Sequence, residues 1–239
     1  MRVAGHGEGG VIDRGDAERR IARSGWLADQ SEDLRRAVLK VSRLIHYPAG
    51  EFVFHAGDSA GGLYGVVKGG VGIYLPSEAG ETVLAHVARC GVWFGYGPLT
   101  REQERTLSFS LVEPSLLIHV PLAHAQEIGA RSPAHQRAIL SVTEYGMDIA
   151  VRVIETLLIR RPDRRIAATL LRIAPFDEGD PCAALLRLTQ AQLGEMANAD
   201  RQVVNRVLKR FEALGWLRVA YGQIEILDAT ALRSFATKR

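Results

Sequence analysis

Cysteine is nearly absent: the 239-residue chain has two, Cys90 and Cys182. They lie far apart, with no cysteine or histidine at metal-ligand spacing, so neither a disulfide framework nor a cysteine-held cluster is expected. Long apolar runs are lacking too. No stretch approaches the ~18 unbroken apolar residues of a membrane span, and Met1 to Asp16 has no signal-peptide core, so a cytoplasmic protein without a membrane partner is expected. Gly-x-Ser-x-Gly, a Walker loop and a cysteine–histidine pairing do not occur. The histidines His46, His55, His86 and His119 stand singly, without the His-x-His of a metal-dependent cupin-type enzyme, the enzymatic alternative for a jelly roll. No catalytic residue and no metal site is therefore expected. Charge of one sign is also scarce. Thirty Lys and Arg against 27 Asp and Glu leave +3, a balance that allows a nucleic-acid partner without requiring one.

What is present suits folded domains. The apolar share is 47% and the charged share 24%, enough for a core in each of two modest domains. The most informative stretch is 188–228, LTQAQLGEMANADRQVVNRVLKRFEALGWLRVAYGQIEILD. Thr189 caps a first helix whose Leu193, Met196 and Ala197 share an inner face. Asn198 tolerates the left-handed backbone of a tight turn, and Asp200 caps a second helix. In that helix Val203, Val204, Val207, Leu208, Phe211 and Leu214 form the buried stripe, leaving Arg201, Gln202, Asn205, Arg206, Lys209 and Arg210 outside. LRVAYGQIEIL alternates apolar and polar residues about Tyr221-Gly222, as a two-stranded wing does.

A winged helix-turn-helix presents the start of its second helix to the major groove of double-stranded DNA. Arg201, Gln202 and Arg206 carry groups that meet base edges, a guanidinium for guanine and an amide for adenine. Thr189, Asn205, Lys209 and the wing near Tyr221 suit phosphate contacts.

Upstream, residues 1–16 are Gly-rich and aperiodic, the pattern of a tail. Short amphipathic helices follow from Ala17, the second capped by Ser31. From Tyr47 the chain breaks into short β-rich runs punctuated by glycines, which suggests an antiparallel barrel or jelly roll through residue 132. Ser132-Pro133 opens a helix that could run unbroken to Arg160, apolar on more than one face. One face would cover the barrel and the other would meet the same helix of a second copy. Pro162 and Asp163 mark the boundary of the last domain, 162–239, whose first helix is DRRIAATLLRIA.

In this order the segments resemble the cyclic-AMP receptor/FNR (CRP/FNR) family of bacterial transcription regulators. PAGEFVFHAGDSAGGLYGVVKGGVGIY is similar to the family's opening barrel motif, DRRIAATLLRIA to its hinge-proximal helix, and DRQVVNRVLKRFEALGWL to its recognition helix. The resemblance implies an α+β chain with four parts. They are a tail (1–16), a jelly-roll sensor of the cyclic-nucleotide-binding kind (17–132), a dimerisation helix (133–161) and a winged helix-turn-helix (162–239). It implies a homodimer on a palindromic site and RNA polymerase as a further partner.

The effector segment departs from the family pattern. Cyclic-nucleotide binders carry Gly-Glu-Leu/Ile-Ala/Gly and then Arg-Ser/Thr-Ala; here Gly95-Tyr96-Gly97-Pro98 and Arg105-Thr106-Leu107 stand in those places. Arg105 and Thr106 can donate to an anion, whereas Tyr96 does not replace the carboxylate. The expectation is a regulator whose effector is not cyclic AMP in the usual mode, or is absent. The alternative is a cyclic-nucleotide response through Gly95, Tyr96, Arg105 and Thr106. Absence of cysteine before Cys90 argues against the iron–sulfur cluster of oxygen-sensing members, and Gly95 and Gly97 occupy the region that supplies the haem ligand in others. A regulator needing no small molecule would have Trp93, Phe94 and Tyr96 filling its barrel.

Overall fold

The computed structural model describes residues 12–76, 82–101, 104–175 and 184–237. A side-chain cap opens each of the first two helices. Helix α1 (Arg14–Ile21) opens where the Asp13 carboxylate accepts from Asp16 N–H at 2.7 Å, so the stretch read as tail ends in helix. Helix α2 (Glu32–Val41) is capped by Ser31, whose hydroxyl accepts from Leu34 N–H.

Two antiparallel four-stranded sheets follow, the jelly roll expected from the short runs. The strands are β1 (Arg43–Tyr47), β2 (Phe52–Phe54), β3 (Gly62–Lys68), β4 (Val71–Pro76), β5 (Thr82–Ala88), β6 (Trp93–Phe94), β7 (Ser108–Leu111) and β8 (Ser115–Pro121). One sheet runs β1-β8-β3-β6 and the other β2-β7-β4-β5. Successive strand residues point to opposite faces, and the first sheet is covered on both. Tyr64, Val66, Phe94 and Leu117 face the second sheet, where they meet Phe54, Phe109 and Leu111. Leu63, Val67, Trp93, Ile118 and Val120 face the helices and pack with Trp26, Leu34 and Ile128.

Helices α3 (Leu122–Ala130), α4 (Pro133–Leu140) and α5 (Val142–Leu157) complete the N-terminal half. The single helix expected from 133 to 160 is thus two. The Ala138 carbonyl, which an unbroken helix offers to Val142 N–H, accepts from the Trp26 indole N–H at 3.0 Å and from the Ser141 hydroxyl at 2.8 Å. A serine bonding its own helix in this way competes with the helical ladder. At the other end Leu158 caps α5, and Arg165 takes the Ile159 carbonyl at 2.6 Å.

The C-terminal half holds α6 (Pro162–Ile173), β9 (Ala184–Leu186), α7 (Gln190–Ala197), α8 (Arg201–Ala213), β10 (Leu217–Ala220), β11 (Gln223–Ile226) and α9 (Ala229–Thr237). The wing has three strands, β10-β11-β9, because β9 adds to the expected hairpin. Asp228 caps α9 by accepting from Ala231 N–H at 2.8 Å. Phe211 is fully buried beneath Trp216 and Phe235, ring centroids 5.4 and 5.3 Å away. The two halves are docked. Leu84 and Val87, on the outer side of β5, belong to the same apolar core as α6, α7 and α8.

Candidate DNA-binding face and effector cavity

The turn between α7 and α8 is set by two residues. Asn198 has φ +46° and ψ +57°, the one non-glycine left-handed residue among those described. Its N–H bonds the Glu195 carbonyl while Ala199 N–H bonds that of Gly194, closing α7 in a Schellman arrangement. Gly194 permits the close approach: a Cβ there would stand 2.7 Å from the Ala199 carbonyl oxygen. Thr189 closes the other end of α7 in a capping box with Gln192, and Asp200 caps α8 by accepting from Val203 N–H at 2.8 Å.

These ends fix the rotation of α8. Val204, Val207, Leu208 and Phe211 are buried. Arg201, Gln202, Arg206 and Lys209 are exposed on the opposite side. Asn205 is half-buried, its amide donating to Gln190 Oε1 at 3.3 Å. Arg210, although exposed, turns back to Asp163 at 3.3 Å and over the Phe235 ring. Tyr221 stands fully exposed at the wing tip, beside the cross-strand pair Arg218–Glu225 at 2.7 Å.

Sequence reasoning missed the residue that clamps this unit. Arg165 of α6 donates to the carbonyls of Ala197 at 2.5 Å, Asn198 at 2.9 Å and Ile159 at 2.6 Å. One guanidinium therefore joins the helix-turn-helix turn to the end of the α5 linker. An arginine in a helix start carries no local signal for such a long-range role.

Gly95, Tyr96, Arg105 and Thr106 all line one cavity of about 460 Å³ between the jelly roll and α5. Deeper in the barrel its own aromatic side chains fill the space: Phe94 stacks on Phe109 at 4.5 Å and on Tyr64 at 5.4 Å. Trp93, its neighbour on β6, points to the outer face and meets Trp26 edge-on at 5.1 Å. Tyr96 reaches across to α5, where a Cβ on Gly146 would lie 1.6 Å from its hydroxyl. That glycine, isolated in a helical pattern, was the available sequence signal of a close approach.

Arg105 is buried, not a surface charge. Its guanidinium donates to the Gly95 carbonyl at 2.6 Å and the Gly62 carbonyl at 3.0 Å, and lies 4.1 Å over the Phe54 ring. Burial lowers its pKa, Tyr64 and Asp58 opposing that, and it stays charged. Thr106 and Glu104 are exposed at the rim.

His86 stands between the cavity and the C-terminal half. It lines the cavity, and its Nδ1 is 2.6 Å from an Nη of Arg172 on α6. Burial, then the positive fields of Arg172 and Arg89, lowers its pKa to about 3. The ring is neutral at pH 7, so Nδ1 accepts and Arg172 donates. Two further bonds cross the same joint: Leu84 N–H donates to the Glu195 carboxylate of α7 at 2.9 Å, and Arg89 Nε to the Ile173 carbonyl at 2.8 Å. Arg89 is itself ion-paired with Glu113. His119 is half-buried, stacked on Tyr64 and bonded to the Gly61 carbonyl. Among the described residues no cluster of metal-ligating side chains occurs, and no helix is long and apolar enough to cross a membrane.

A jelly roll coupled through helices to a winged helix-turn-helix with a basic outer face defines a DNA-binding transcription regulator. Residues 44–132 match the cyclic nucleotide-binding domain and residues 164–235 the Crp-like helix-turn-helix domain. The chain is 25% identical over 169 residues to the cAMP-activated global transcriptional regulator CRP of Pasteurella multocida, covering 70% of this chain and 81% of that one. It is 24% identical over 207 residues to the transcriptional regulator SdrP of Thermus thermophilus, covering 84% and 97%. Among solved structures, a CRP/FNR-family transcriptional regulator from Thermus thermophilus superposes with a TM-score of 0.64 at 25% identity, covering 82% of this chain and 100% of that one. FixK2 from Bradyrhizobium japonicum gives 0.68 at 18% identity, covering 83% and 99%. The chain belongs to the CRP/FNR family of transcription regulators.

Proposed function

We propose that two copies pair through α5 and read a two-fold-related DNA site, and that occupancy of the cavity against α5 sets how well the two recognition helices fit it. The observation that carries pairing is an exposed apolar stripe. Met147, Val151, Ile154 and Leu158 are 64%, 44%, 55% and 73% exposed and recur at the 4-3-4 spacing of a coiled-coil seam. Gly146, Ile149 and Val153, on the neighbouring face of the same helix, line the cavity, and Ile154 borders both. A molecule in the cavity would therefore touch the element that positions both α8 helices.

In this reading Arg201, Gln202 and Arg206 meet base edges, and Thr189, Asn205, Lys209 and Tyr221 fix register on phosphates. The dimer acts in the cytoplasm and works on RNA polymerase from its operator. The effector is not cyclic AMP in the usual mode: Tyr96 stands where a carboxylate would take a ribose hydroxyl, and both Nη groups of Arg105 are bonded to backbone carbonyls. A cyclic-nucleotide response through Arg105 and Thr106 is the second reading, favoured by Arg105 lying in the cavity wall.

Light scattering of the wild type and of Val151→Glu, read beside DNA affinity, tests the pairing. A wild-type dimer that the glutamate splits, with loss of tight operator binding, is the expected result. A monomer that binds DNA as tightly as any variant would refute it.

A further inference from the structure

Building on the proposal that the cavity is the effector site, we infer that its ligand is a neutral, mainly apolar small molecule. The walls carry this. The barrel contributes Ile73, Leu75 and Leu107, and α5 contributes Ile149, Val153 and Leu157. A cavity of about 460 Å³ lined in this way suits a drug-sized apolar body.

The polar groups around it are few and mostly engaged. A cyclic phosphate needs several donors aimed at its two free oxygens, since an anion moved out of water is costly unless it is paired and bonded. Arg105 has one N–H of each Nη already turned to the Gly95 and Gly62 carbonyls. Its Nε is buried without a hydrogen-bond partner, out of reach of a molecule in the cavity. Glu104 is exposed on the cavity's rim and opposes the approach of an anion. His86 brings no positive charge, its ring being held neutral and bonded to Arg172. The Tyr96 hydroxyl lies against Gly146 of α5 and so closes that side of the cavity. Most of the surface a ribose would meet is isoleucine, leucine and valine, whereas an aromatic or alicyclic body matches those walls.

The test uses N-phenyl-1-naphthylamine, a neutral apolar fluorophore, titrated into the full-length protein. Competition follows with 1-acetylnaphthalene, with 1-ethylnaphthalene and with cyclic AMP and cyclic GMP. Probe fluorescence should rise saturably. The ketone and the hydrocarbon of the same shape should both displace the probe at micromolar concentration. Neither nucleotide should displace it at millimolar concentration. Val153→Trp, from the helix side, and Ala85→Phe, from the barrel side, should each weaken probe binding at least tenfold while the circular dichroism stays native.

Probe binding untouched by both variants would overturn the assignment, since the probe would then sit elsewhere. Displacement by a cyclic nucleotide at micromolar concentration, or failure of both naphthalenes to displace the probe, would overturn the ligand class. DNA binding by the same preparation, measured by fluorescence anisotropy, separates this inference from the reading beneath it. DNA bound without probe binding sinks the ligand class alone, and loss of both sinks the regulator reading as well.

Discussion

Acid should weaken the joint between jelly roll and winged helix, and His86 should account for most of the early effect. Its ring is 7% exposed, accepts from Arg172 and sits near Arg89, and its pKa is lowered from 6.5 to about 3. In the unfolded chain the same imidazole takes a proton as the pH falls through its ordinary pKa. Above that pH both states are neutral and the histidine contributes no pH dependence. Below it the unfolded state binds more protons, so stability falls steadily with pH until the folded-state pKa is reached. From pH 7 to pH 5 the unfolded state gains about 1.5 units of titration at 1.36 kcal/mol each, a loss of ~2 kcal/mol. His86→Asn supplies the comparison. The amide oxygen can still accept from Arg172 and cannot ionise. Urea denaturation at pH 7 and pH 5 should show the wild type losing ~2 kcal/mol more than the variant over that interval. Equal losses would show that the ring is not held neutral between those guanidiniums.

The turn of the helix-turn-helix offers a second perturbation. Asn198→Gly should raise stability by a few tenths of a kcal/mol and Asn198→Val lower it by ~1–2 kcal/mol, because a branched side chain resists the left-handed conformation; thermal unfolding reads both. Gly194→Ala should lower DNA affinity, since its Cβ falls 2.7 Å from a backbone oxygen and must push the two helices apart. Arg206→Ala should cost about 1–3 kcal/mol on the specific site and much less on random DNA, whereas Lys209→Ala should weaken every sequence alike and flatten the salt dependence. Anisotropy titrations over a range of salt separate these two. Gly146→Ala should displace Tyr96 and change ligand and DNA binding together, which fluorophore titration and anisotropy both register.

Legibility in the sequence followed the range of the interactions. The caps Ser31, Ser132, Thr189, Asp200 and Asp228 were readable because each acts within three residues of itself. The left-handed Asn198 was readable for the same reason. The buried and exposed faces of α8 followed from helical periodicity except at Leu214, placed in the buried stripe but 50% exposed at the helix end. Interactions between segments distant in sequence were not readable. Nothing around Trp26 tells that its indole, 112 residues from Ala138, takes the carbonyl that would continue the helix. Arg165, Glu195 and Arg172 look like ordinary helix-surface charges until the halves dock, and each then bonds a group from another segment. In the effector segment the departure from the family motif was visible in Tyr96. The bonding of Arg105 to two carbonyls needed the fold, since Gly62 lies 43 residues away.

Selection from a random double-stranded DNA library with the purified protein, followed by anisotropy on the winning sequence with wild type and Arg206→Ala, tests the central claim most directly. The account requires enrichment of a two-fold-related site with half-sites about one helical turn apart, bound by a dimer, with Arg206→Ala losing about 1–3 kcal/mol there and little on random DNA. A library without enrichment, or a site for which Arg206→Ala loses as much as on random DNA, would contradict it.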